Sequence, residues 1–96
     1  MKFEKKDFAL TLGKRVREVR KFRGFTLERL ALDAEIEIKQ LTRIEYGQVN
    51  TTVFQIYRLS YCLEVNLGEL FAPIPLMNFK NDSISQILPK ENAENP

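Results

Sequence analysis

Residues 35–47 read "EIEIKQLTRIEYG", and two structures compete for them. Glu35-Ile36-Glu37-Ile38-Lys39 alternates charged and β-branched residues, the period-2 pattern of a half-buried strand. Leu41 and Ile44, followed by Gly47, read instead as a helix closing on a glycine. No other segment offers a partner for a strand, so the alternation reads as a turn that feeds a helix. Ile36 then plugs the core, the helix runs over residues 37–46, and Leu41 and Ile44 continue the apolar anchor. Lys39, Thr42, Arg43 and Tyr46 lie three or four residues apart and project together on the other side.

The flanking segments are helical as well. Residues 8–23 carry Leu12, Val16 and Val19 at helical spacing among basic residues, an amphipathic helix that ends at Gly24. Thr26 is a good N-cap for "TLERLALDA", with Glu28 in its first turn and Leu27, Leu30, Ala31 and Ala34 on its apolar side. In "TTVFQIYRLSYCL", residues 51–63, Val53, Ile56, Leu59, Ser60 and Leu63 mark the buried face of a fourth helix. Asn66 and Glu69 have the spacing of a capping box for a short fifth helix through Phe71, which Pro73 and Pro75 stop. The domain is expected over residues 8–71. Residues 72–96 are expected to form a C-terminal tail, apolar and proline-broken in "APIPLMNF", then polar and disordered in "PKENAENP".

Composition narrows the function. The chain has 96 residues, 44% hydrophobic and 29% charged, which is enough for one modest core. Its lone cysteine, Cys62, forms no internal disulfide, and with no histidine there is no Cys/His zinc site. No cofactor is expected. The first residues lack the apolar stretch of a secretion signal, and no apolar run approaches the ~18 residues of a membrane span, so a cytoplasmic setting with no membrane partner is expected. Net charge is only +2, but residues 1–24 hold nine Lys/Arg against three acids. Such asymmetry suits a polyanionic partner, and equally the solvated face of a helix.

Five short helices, the second and third separated by a few residues, suggest a helix-turn-helix spanning about 26–46. At this point the residues resemble the Cro/XRE-type phage-repressor-like helix-turn-helix family. The likeness runs over residues 12–71, from "LGKRVREVRKFRGFTLERLA" through "LTRIEYG" to "LSYCLEVNLGELF". It implies an all-α, five-helix lambda-repressor-like DNA-binding domain with a short C-terminal extension. It also implies a transcriptional regulator that binds double-stranded DNA as a homodimer, with the helix of residues 37–46 in the major groove. By this resemblance Ile38, Lys39, Thr42 and Arg43 face base edges, while Thr26, Tyr46, Gln48, Asn50, Thr51 and Thr52 face phosphates. These are suitable chemistries: Arg and Lys donate to guanine, Thr touches a thymine methyl, and Tyr bonds phosphate. Arg20 and Glu45 match a buried ion pair of the family, and Cys62 stands where the family packs a small residue.

The chain departs from the family pattern at specific places. Leu27 replaces a glutamine that commonly touches phosphate, and Glu35 and Glu37 replace a turn residue and a small hydroxyl residue. Both acids repel phosphate, although Glu37 also suits the positive end of a helix dipole. Ile38 has two readings, exposed against a thymine methyl or partly buried. Phe54, Tyr57 and Tyr61 align beside the core stripe of the fourth helix, a possible interface covered by the tail (Ile74, Leu76, Met77, Phe79) or by a second protomer. Three functions follow. One is a sequence-specific DNA-binding regulator, and another an antitoxin or restriction–modification controller with a protein partner. The third is a protein-interaction module that has lost DNA binding. An enzyme is the weakest reading, because no catalytic frame of His, Cys, paired carboxylates or Gly-rich loop is present.

Overall fold

The computed structural model describes residues 4–72. They form five helices and, among the described residues, no strand: α1 Lys5–Phe22, α2 Leu27–Ala34, α3 Ile38–Glu45, α4 Val53–Leu63 and α5 Leu67–Phe71. This is the all-α, lambda-repressor-like arrangement expected from the sequence. The tail beyond Ala72, with Ile74, Leu76, Met77 and Phe79, lies outside the described residues. α1 starts earlier than residue 8 because its first turn has its own support. Asp7 complements the helix dipole there, Ala9 is buried, and the Phe8 ring stacks on Phe71 of α5 at 6.4 Å.

One device ends each of the first four helices. A residue in the left-handed region follows the helix, and its amide and the next one fold back onto the last turn as a Schellman motif. Gly24 and Gly47 fill this position after α1 and α3, at φ +80° and +68°. After α2 and α4 the position is held by Glu35 and Glu64, both at φ 59°. Around Glu35, the Ile36 amide donates to the Ala31 carbonyl and the Glu35 amide to the Leu32 carbonyl. The strand-like "EIEI" alternation is therefore the signature of a helix stop. The left-handed residue swings Ile36 into the core, where it is 6% exposed, and leaves its glutamate neighbours in solvent.

The core joins Leu12, Val16 and Val19 of α1 to Leu30, Ala31 and Ala34 of α2, and to Leu41 of α3. Ile56, Leu59 and Leu63 of α4 and Leu70 of α5 complete it. Val53, expected on the buried face of α4, is instead 71% exposed, because the first turn of α4 projects past the core. The capping box of Asn66 and Glu69 does not form: Asn66 makes no side-chain cap hydrogen bond. Arg15 of α1 engages Glu69 instead, through Nε to its carbonyl at 2.8 Å and Nη2 to its carboxylate at 3.3 Å.

Candidate nucleic-acid interface

The helix-turn-helix pair is held at the angle between α2 and α3 by small and medium apolar residues. Ala31 and Ala34 leave room for the turn, Ile36 fills it, and Leu41 and Ile44 sink the inner face of α3 to 0% and 2% exposure. Burying each such side chain stabilises by roughly 1.5–3 kcal/mol, so one face of an eight-residue helix is firmly committed. The other face is left to solvent.

α1 braces the same helix from behind. Gly13, in the middle of α1, lies so close to α3 that a Cβ built there meets the Ile44 carbonyl oxygen at 2.1 Å. A Cβ on Gly47 meets Leu10 at 2.6 Å. Apolar periodicity does not single out Gly13. The available signal is a glycine inside a helical pattern, which helix propensity disfavours by about 1 kcal/mol unless a neighbour needs the space. The close approach brings Arg20 onto Glu45. Arg20 Nε donates to Glu45 Oε2 at 2.6 Å and Nη2 to Oε1 at 3.1 Å, a bidentate pair, while Nη1 donates to the Phe25 carbonyl at 3.0 Å. The carboxylate side chain is 1% exposed and the guanidinium side chain 11%.

The outward face of α3 carries Lys39, Arg43 and, just past its end, Tyr46, all exposed. Ile38 resolves toward the open side at 41% exposure. Thr42 is half-buried, and its hydroxyl donates to the Ile38 carbonyl at 2.9 Å, which occupies its hydroxyl proton. Glu37 occupies the N-cap of α3 without a side-chain cap hydrogen bond. Thr26 caps α2 by accepting from the Arg29 amide at 3.0 Å, and its own hydroxyl proton remains available. Thr52 caps α4 in the same way, accepting from the Gln55 amide at 3.1 Å. Gln48 and Asn50 are exposed, and Thr51 is hydrogen-bonded to Gln55.

Charge pairing separates this face from the rest. Arg15, Arg20, Arg23 and Arg29 each lie within 3.3 Å of a carboxylate, and Arg58 stands at 3.9 Å from Glu35. Among the described residues, Arg17 and Arg43 are the arginines without one; the Arg17 guanidinium lies over the Tyr46 ring at 4.8 Å.

On α4, Phe54, Tyr57 and Tyr61 form a continuous ring ladder with 6.4 Å steps and exposures of 62%, 51% and 73%. Cys62 beside it is half-buried against the core. Burial, then the carboxylates of Asp33 and Glu35, push its thiol pKa upward against a smaller opposing effect of Arg58. No group of His, Cys, Asp and Glu among the described residues could hold a metal ion.

A second helix set on a first across a short turn, with an exposed polar face braced from behind, defines a helix-turn-helix module. The chain belongs to the helix-turn-helix domain family, which it matches over residues 13–73. Among solved structures it is similar to the restriction-modification controller protein C.AhdI from Aeromonas hydrophila. The two are 30% identical with a TM-score of 0.64, over 66% of this chain and 96% of that one. It is also similar in fold to an HTH_3 family transcriptional regulator from Vibrio cholerae, at 23% identity and a TM-score of 0.68. That likeness covers 72% of this chain but only 39% of the Vibrio protein. No curated protein matches the chain.

Proposed function

We propose that the protein is a sequence-specific regulator that binds double-stranded DNA by laying α3 in the major groove. The observation that supports this most is charge placement: Arg43 and Lys39 sit exposed, and among the described residues without a carboxylate partner, on a helix whose opposite face is sunk in the core. A free guanidinium on a rigid helix suits bidentate donation to guanine O6 and N7. Ile38 and the Thr42 methyl supply apolar contacts for thymine methyls. Thr26, Thr52 and the exposed Gln48 and Asn50 flank the helix at the starts of α2 and α4, where free amides and the positive dipole ends favour phosphate. Tyr46 adds a phenol donor, and Thr51, engaged by Gln55, contributes through its backbone amide. Residues 8–71 are the DNA-binding unit. The reading further assigns the protein to the cytoplasm; no helix among the described residues is long and apolar enough to cross a membrane.

The aromatic ladder supports a second element of the proposal. Three exposed rings in line are more apolar than a solvated face requires, and suit an isologous contact between two copies. Two copies would present two α3 helices to half-sites about 34 Å apart. Restriction-modification control, the role named for the similar Aeromonas protein, is compatible with this reading. The test is fluorescence anisotropy of the full chain with duplex DNA across salt concentrations. Affinity that falls steeply with salt supports the reading, as phosphate neutralisation requires. Absence of binding at low salt would overturn it in favour of a protein-interaction module.

A further inference from the structure

The basic run of α1 is usually the mark of a solvated helix face, and most of its charges fit that description. Arg17 does not. Gly13 lets α1 approach α3 until backbone meets backbone, and this places the next turn of α1 beside the end of α3. There the Arg17 guanidinium lies over the Tyr46 ring, with its centre 4.8 Å from the ring centroid. The arrangement has the geometry of a cation–π pair. Among the described residues no carboxylate pairs with this guanidinium, so its N–H donors are not committed to an ion pair. The other arginines of α1 and its C-cap spend those donors on carboxylates of neighbouring elements: Arg15 on Glu69, Arg20 on Glu45, Arg23 on Glu64. Arg17 is half-buried, so its side chain is held rather than freely moving.

We propose that Arg17, held on the Tyr46 ring, is a phosphate-binding residue that extends the DNA contact from the helix-turn-helix onto α1. The proposal rests on the DNA-binding reading of α3. It adds a residue outside the helix-turn-helix and a role for Tyr46, whose exposed ring holds the guanidinium. A guanidinium held on a ring and without a carboxylate partner can offer its planar fork to two phosphate oxygens. The contact carries no sequence information, because phosphates are alike at every base pair.

The experiment is the salt dependence of binding for the wild-type full chain, Arg17→Gln and Arg15→Gln, on a selected duplex and on a scrambled one. Removing one phosphate-neutralising charge reduces the slope of log K against log[salt] by about 0.9, or by about 1.8 for two protomers on one site. At about 0.1 M salt, a slope reduction of ~0.9 means roughly 8-fold weaker binding. Arg17→Gln is expected to show this reduction equally on both duplexes. Arg15→Gln removes the same charge from the α5 side of α1 and is expected to leave the slope unchanged. A simple loss of stability would weaken binding at every salt concentration without altering the slope. Wild-type slope in Arg17→Gln overturns the assignment, as does an equal slope reduction in both variants, which would reduce the effect to net charge. If the wild-type chain binds neither duplex, the DNA-binding reading itself fails, and the Arg17 proposal with it.

Discussion

Cutting the Arg20–Glu45 pair is the sharpest test of how α3 is held. The two substitutions are not equivalent. Arg20→Ala leaves a carboxylate whose side chain is 1% exposed, with both of its guanidinium donors gone. Glu45→Ala leaves a guanidinium that is 11% exposed and still donates to the Phe25 carbonyl at 3.0 Å. Removing one partner of a buried pair destabilises by about 3–5 kcal/mol. Arg20→Ala belongs at the top of that range, about 5 kcal/mol, and Glu45→Ala at the bottom, about 3 kcal/mol. A domain of this size holds only about 5–15 kcal/mol in all, so Arg20→Ala is expected to leave little folded protein at physiological temperature. Replacing both residues by apolar groups of similar volume, Arg20→Met with Glu45→Leu, removes both desolvated charges and is expected to recover most of the loss. The assay is urea unfolding followed by far-UV circular dichroism, with shifts in midpoint compared at a common slope. The reasoning is refuted if either single variant stays within about 1 kcal/mol of wild type, the range of a surface ion pair. An inverted order, Glu45→Ala worse than Arg20→Ala, would contradict the burial argument specifically.

Three further outcomes are expected. Gly13→Ala gains about 1 kcal/mol of helix propensity but drives a methyl into the Ile44 and Glu45 backbone; with overpacking costing about 3 kcal/mol, a net loss of ~2 kcal/mol should appear in urea melts. Glu35→Gly relieves a left-handed side-chain clash of about 1–2 kcal/mol and loses about 0.4–1 kcal/mol to unfolded-state entropy, so the thermal midpoint should rise by a few degrees. Cys62 should alkylate more slowly in the native protein than in urea near about pH 8, because its raised pKa leaves less thiolate; the native rate should climb only at higher pH. Equal native and unfolded rates would contradict the placement of its thiol.

The helices were legible because their apolar residues recur at helical spacing, and the core of Leu12, Val16, Leu30, Leu41, Ile56, Leu59 and Leu63 lies on those faces. The end of α2 was legible only by elimination. Glutamates at Glu35 and Glu64 adopt a conformation that glycine would have announced, so the sequence lacked the usual punctuation. Val53 misled because periodicity tells which face a residue shares, and not where the core ends along the helix axis. Asn66 and Glu69 misled because capping is local, whereas Arg15, far away in sequence, claims Glu69. For the candidate site, spacing gave the exposure of Lys39, Arg43 and Tyr46 on α3, but it left Ile38 open and did not foresee that Thr42 is half-buried. Arg17 could not be separated from its basic neighbours, since what distinguishes it is its seat on Tyr46 and the absence of a carboxylate, both tertiary facts.

The central claim is that α3 reads base pairs, with Arg43 as a principal reader. Selection from random duplex DNA, run in parallel with the wild-type chain and Arg43→Ala, tests it most directly. The wild type is expected to enrich a defined site. Arg43→Ala is expected to relax preference at one base step, at a cost of about 1–3 kcal/mol confined to that position. Enrichment of no sequence by the wild type, or an identical site for both proteins with uniformly weaker binding by the variant, would contradict it.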